Sequence, residues 1–196
     1  MVIFAVIGTV LMVTGSAESG NLHATGLSNF KFYTVLSNVY CGLVAVIYLV
    51  AALLKKNTEK LRALKLSAVC GVTITFAVVA FMFGPLYGWL RFYNGGNLFF
   101  HLLLPVVAVV EFIVVRRENM PFRHAVLAAI PTLLYAIGYA LNILINGIGD
   151  PWPDSNDFYG FLTWGWGVGI AIFFGVPLLS FGIACIFRLI SNKRAA

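Results

Sequence analysis

Apolar residues along this chain run in long blocks that short polar stretches separate. Six blocks predict helices at about 1–13, 32–54, 64–88, 97–115, 125–146 and 161–190. All but the first are long enough, at about 1.5 Å per residue, to cross roughly 30 Å of hydrocarbon. The pattern therefore predicts an all-α polytopic membrane protein, with a six-transmembrane-helix bundle in a single domain over 1–196.

The first block is short for a span, and its end resembles a signal-peptidase site at Gly15-Ser16-Ala17. No Lys or Arg precedes it, however, so the basic region that usually opens a signal peptide is missing. We therefore expect a true span rather than a cleaved signal.

Composition agrees with a membrane protein, because 61% of the residues are hydrophobic and only 10% are charged. A soluble domain carries about 25% charged residues. The basic residues form three clusters beside apolar blocks, at 55–65, at 116–123 and at 188–194. By the positive-inside rule, both termini should be cytoplasmic. Nucleic-acid binding would need one continuous basic face, so we expect no nucleic-acid partner.

Other residue types add little chemistry. Cys41, Cys70 and Cys185 lie inside apolar blocks and are interpreted as packing residues, so no metal or other cofactor is expected. An acidic loop lies on the predicted outer side, and we interpret it as a solvated turn rather than as an orienting carboxylate for a histidine. Its carboxylates are Asp150, Asp154 and Asp157.

Polar residues at membrane depth are the informative ones. The second predicted helix carries Thr34, Ser37 and Asn38 on one face, which should point into the bundle. The fourth helix carries His101 about one turn inside its start, with Pro105 one turn further on. Both helices run in the same direction, so Thr34 and His101 should lie at matching depth near the outer boundary. A hydroxyl and an imidazole in reach of each other form a nucleophile and its general base.

Further polar residues have less specific roles. Glu111 lies ten residues beyond His101, about 15 Å along the axis, and should pair with Arg116, Arg117 or a lysine of the neighbouring basic loop. The oxyanion or substrate-positioning candidates are as follows. They are Asn38, Tyr139, Asn142 and Asn146, and the last three could equally serve to hold helices together.

At these residues the sequence resembles the androgen-induced gene protein family. The likeness lies in KFYTVLSN, with Thr34 and Asn38, and in HLLLPVVAVVE, with His101, Pro105 and Glu111. Weaker likenesses are Gly138-Tyr139 and the stretch from Asn146 to Pro153. The loop GDPWPDSNDFYG departs from the compact aromatic-proline motif of the animal members, so the substrate preference of the family is not transferred.

The resemblance implies a multi-pass threonine hydrolase that cleaves fatty acid esters of hydroxy fatty acids, with Thr34 and His101 as its catalytic pair. Membrane lipids and a lipid ester would then be its partners. Three alternatives stay open on the sequence: a transporter or channel, a non-catalytic scaffold, and a lipid acyltransferase that uses the same pair. A transporter would need a polar route to both membrane faces, whereas the polar residues lie mainly in the outer half.

Overall fold

The computed structural model describes residues 1–15, 24, 26–115, 118–151 and 154–195. Within these ranges the chain forms helices and no strand. The helices are α1 Val2–Thr14, α2 Tyr33–Leu53, α3 Glu59–Tyr87, α4 Gly96–Val115, α5 Phe122–Asn146 and α6 Trp166–Ala195. The predicted all-α fold is thereby confirmed.

Helices α2 to α6 are long and apolar enough to cross a membrane. Their outward faces carry large apolar side chains, such as Leu53 on α2 and Phe174 and Leu178 on α6, each at least 70% exposed. Such a surface is stable in lipid and not in water, because contiguous exposed apolar area is unfavourable in a soluble protein. The chain is an integral membrane protein.

Helix α1 is the short member of the bundle, since its 13 residues span about 20 Å. It packs closely on its neighbours through small residues. A Cβ atom at Gly42 would collide with Ala5, and one at Gly8 would collide with the ring of Phe100. The Ser16 and Ala17 of the possible cleavage site lie outside the described residues.

The segments at one end of the bundle are tied together by polar contacts. Arg62 Nε lies 3.1 Å from the Glu118 carboxylate, and Arg188 Nε donates to the carbonyl of Met120 at 2.8 Å. The start of α3, the loop after α4 and the end of α6 therefore meet at one end of the bundle. The Arg116 and Arg117 of the second cluster lie outside the described residues.

Two π-helical turns interrupt α-helical geometry near the other end. In α3 the turn Val79–Phe83 leads into a short helix Gly84–Tyr87, and in α4 the turn is Phe99–Leu103. Pro105 has no N–H to bond the carbonyl of His101, so an α-helical bond is missing at the turn of α4. Such widened turns often occur at functional sites, and both of these face one cavity.

Candidate active site

A cavity of about 160 Å³ lies inside the bundle, towards the end opposite the basic loops. Residues of all six helices and of the loop that precedes α6 line it. Thr34 and His101 are both among the lining residues, so the structure brings this predicted pair into one site.

His101 is held in one orientation within the π turn of α4. Its Nδ1 atom lies 2.8 Å from the carbonyl oxygen of Phe92, and the side chain is buried. A carbonyl oxygen only accepts, so Nδ1 carries the proton and Nε2 keeps its lone pair. This tautomer is the one that a general base requires. The fixing partner is therefore a backbone group, not a carboxylate of the acidic loop.

Thr34 is the second residue of α2. Its hydroxyl makes no hydrogen bond to any residue within the described ranges, His101 included, and is free to approach a ligand. Its carbonyl oxygen accepts from Asn38 Nδ2 at 2.8 Å and from Ser37 Oγ at 3.2 Å. Catalytic hydrogen bonds commonly tighten only when the substrate binds, so the open pair is compatible with catalysis.

Asn38 connects the two elements that carry the pair. It is fully buried, and its Nδ2 donates to the carbonyl of Thr34 at 2.8 Å and to the carbonyl of Phe100 at 3.0 Å. Both amide hydrogens are thereby occupied, and Asn38 is not among the residues that line the cavity. This geometry favours positioning of α2 against the π turn over donation to an oxyanion.

Tyr139 lines the cavity but gives its hydroxyl hydrogen to Asp157 Oδ1 at 2.6 Å. The same carboxylate accepts the backbone N–H groups of Phe161 at 3.0 Å and Leu162 at 2.8 Å. Asp157 is only 4% exposed, so the interpretation of the acidic loop as a solvated turn is wrong for this residue. A buried carboxylate is stable here because three donors replace its water.

Asn142 lies outside the cavity and contacts the loop that precedes α6. Its Nδ2 lies 3.4 Å from Asn156 Oδ1, and its own Oδ1 accepts from Asn146 at 2.9 Å. Neither amide reaches the residues around Thr34. Asp150 and Asp154 are exposed, as a solvated turn predicts.

Sequence reasoning did not single out Tyr159. The phenol oxygen accepts the backbone N–H of Tyr33 at 2.8 Å, at the first turn of α2. Phe32, at the N-cap, offers no side-chain acceptor, so this N–H needs a partner from elsewhere. That missing cap is the one sequence signal for such a contact. Burial raises the pKa of Tyr159 to about 12, so the phenol is protonated at neutral pH.

No group of three or more His, Cys, Asp or Glu side chains that could hold a metal ion occurs within the described ranges. No protein-family model, curated protein or solved structure matches this chain. The function of the chain is therefore inferred from its own residues and from the likeness of its two short motifs.

Proposed function

We propose that this protein hydrolyses fatty acyl esters of lipids within the membrane, with Thr34 as nucleophile and His101 as general base. One observation carries the proposal. A free threonine hydroxyl and a histidine whose Nε2 lone pair is unoccupied line the same cavity. Nucleophilic catalysis needs these two groups and a partner that orients the base, and the Phe92 carbonyl fills that third role.

The reaction proceeds by acyl transfer. His101 Nε2 takes the hydroxyl proton of Thr34 while Thr34 Oγ1 forms a bond to the ester carbonyl carbon. The π electron pair of the carbonyl bond moves onto the carbonyl oxygen, which becomes the oxyanion. The tetrahedral intermediate expels the alcohol oxygen, which takes the proton back from His101. Water then attacks the acyl-threonine with His101 again as base, which releases the fatty acid and restores the hydroxyl.

The lining of the cavity suits an acyl chain. Phe83, Phe92, Ile172, Phe173 and Val176 supply apolar walls around the polar pair. An ester with long chains can keep them in hydrocarbon while its carbonyl reaches Thr34. Fatty acid esters of hydroxy fatty acids, the substrates that the resemblance implies, have this form. By the positive-inside rule, the cavity would face the outer leaflet and both termini the cytoplasm.

The packing of the bundle favours hydrolysis over transport. Leu66, Leu104, Ala108 and Phe112 are fully buried and belong to one apolar cluster in the half of the bundle beyond the cavity. A transported polar solute would have to cross this cluster. A lipid acyltransferase remains the nearest enzymatic rival, because an alcohol could replace water in the second step.

The test is labelling of the purified protein with a fluorophosphonate probe. We expect labelling of the wild type and its loss in Thr34→Ala and His101→Ala. Thr73→Ala is the matched control, because the Thr73 hydroxyl bonds the carbonyl of Val69 in its own helix at 2.7 Å and does not line the cavity. Equal labelling of folded Thr34→Ala and wild type would exclude Thr34 as the nucleophile. Product analysis with added alcohol separates hydrolysis from acyl transfer.

A further inference from the structure

We propose that Tyr159 is the oxyanion donor of this site: its hydroxyl donates a hydrogen bond to the oxygen that becomes negative when Thr34 attacks the ester. The inference rests on the proposed function and deepens it. Tyr159 lines the cavity together with Thr34 and His101. The residues first considered for this role, Asn38 and Tyr139, have their hydrogens occupied elsewhere.

The oxygen of the Tyr159 hydroxyl already accepts a hydrogen bond. This oxygen accepts the N–H of Tyr33, the residue before Thr34, at 2.8 Å. The phenol oxygen therefore lies at the first turn of α2, which also carries Thr34, and both side chains line the same cavity.

The hydrogen of the same hydroxyl can change its acceptor. Tyr135 lines the same cavity and gives its own hydroxyl hydrogen to the carbonyl of Lys31 at 2.7 Å. With its hydrogen placed there, the Tyr135 oxygen can act towards other groups only as an acceptor. A negatively charged oxygen is a stronger acceptor than a neutral phenol, so the Tyr159 hydrogen turns to the oxyanion as it forms.

The start of α2 strengthens this donor. The N–H of Tyr33, in the first turn, donates to the phenol oxygen, and the helix dipole places partial positive charge there. A hydroxyl that accepts a hydrogen bond becomes a better donor, because the bonds of a chain polarise one another. The partial positive charge at the start of α2 therefore makes the Tyr159 hydroxyl a stronger hydrogen-bond donor towards the cavity.

The hydroxyl is held in place before substrate arrives, as oxyanion stabilisation requires. The backbone N–H of Tyr159 donates to the Tyr139 hydroxyl at 3.1 Å, and that hydroxyl is fixed in turn by Asp157. The ring stacks on Phe161 at 5.1 Å and meets Phe32 edge-on at 5.8 Å. These contacts leave the hydroxyl hydrogen as the part that moves.

The first experiment compares ester hydrolysis by wild type, Tyr159→Phe and Tyr40→Phe, with a fluorogenic acyl ester as substrate. Loss of one oxyanion donor costs about 100- to 1000-fold in kcat, and we expect this for Tyr159→Phe with KM within about threefold. Tyr40→Phe should match wild type, because Tyr40 bonds Ser67 and does not line the cavity. Folded Tyr159→Phe with wild-type kcat would overturn the assignment of Tyr159 and leave the Thr34 nucleophile intact. Absence of any Thr34-dependent hydrolysis by wild type would overturn both.

A second experiment separates donation from a merely structural role. Fluorinated tyrosines at position 159 keep the ring and the hydroxyl but make the O–H more acidic. A donor to the oxyanion predicts that kcat changes steadily with the acidity of the phenol while the thermal stability stays constant. A kcat that is independent of that acidity would show that the hydroxyl only supports the start of α2.

Discussion

Lys65 Nζ lies 2.7 Å from Glu111 Oε2, in the half of the bundle that contains the basic loops. The prediction that Glu111 pairs with a lysine of the neighbouring basic cluster is thereby confirmed. Lys65 is 2% exposed, and its ammonium also lies 5.7 Å from the centre of the Tyr48 ring. This pair joins α3 to α4 at the end away from the cavity, so it offers a way to change stability without touching the site.

Lys65→Met should destabilise the protein by about 3 kcal/mol, because it removes the buried ammonium that pairs with the Glu111 carboxylate. The double variant Lys65→Met/Glu111→Leu should regain most of that loss, since two apolar side chains need no partner. Thermal unfolding in one detergent measures both. Fluorophosphonate labelling of Thr34 in the folded fraction should stay at the wild-type rate. A double variant no more stable than the single one would contradict this account.

Asn38→Leu should lower both stability and labelling. It removes the bonds that tie the carbonyls of Thr34 and Phe100, which leaves a buried acceptor unsatisfied at a cost of about 1–3 kcal/mol. The shift of α2 against α4 should also slow labelling of Thr34. Unfolding temperature and labelling rate are measured on the same preparation. Ser67→Ala serves as the control, because the Ser67 hydroxyl bonds Tyr40 away from the cavity. Unchanged labelling in Asn38→Leu would show that this tie does not position the nucleophile.

Asp157→Asn should loosen the loop that precedes α6. An amide cannot accept all three hydrogens that the Asp157 carboxylate receives, so the N–H groups of Phe161 and Leu162 lose part of their partner. Hydrogen exchange at residues 157–162 should become faster. Asp154→Asn is the matched control, because Asp154 is exposed. Equal exchange in the two variants would contradict the buried role of Asp157.

Tyr159 should titrate later than an ordinary tyrosine. Its pKa in the folded protein is about 12, against about 10 in an unfolded chain, because burial disfavours the phenolate. The raised pKa means that its contribution to stability is complete below pH 10 and is lost as the pH rises towards 12. Tyrosinate absorbance is measured against pH for wild type and for Tyr159→Phe. The difference between the two curves should have its midpoint near pH 12. A difference centred at pH 10 would show that the phenol is open to solvent.

The helices and the meeting of Thr34 and His101 in one cavity were accessible from the sequence. Block length and charge clusters predicted the helix order, and helix direction then placed Thr34 and His101 at one level. The pairing of Glu111 with a lysine followed from the same geometry. These inferences depend on periodicity along one helix or on the spacing of helix ends, which the order of residues encodes directly.

The partners of the pair were not accessible in this way. The orienting group of His101 is the carbonyl of Phe92, and a backbone atom has no sequence signature. Tyr159 reaches the start of α2 across 126 positions of the chain, through a loop whose fold depends on the buried Asp157. Charge alone suggested that this aspartate was solvated. Its burial follows only from donors that the loop itself supplies.

The loop at 155–162 reaches the site from far along the chain. A polypeptide is made from its N-terminus, so α2 and α4 emerge from the ribosome well before this loop. During that interval the cavity lacks the wall that Tyr159 and Phe161 supply. The nascent chain therefore carries Thr34 and His101 before it carries the wall that encloses them, and docking of the last loop is the event that completes the cavity. The proposed activity would accordingly begin only when nearly the whole bundle is in the membrane.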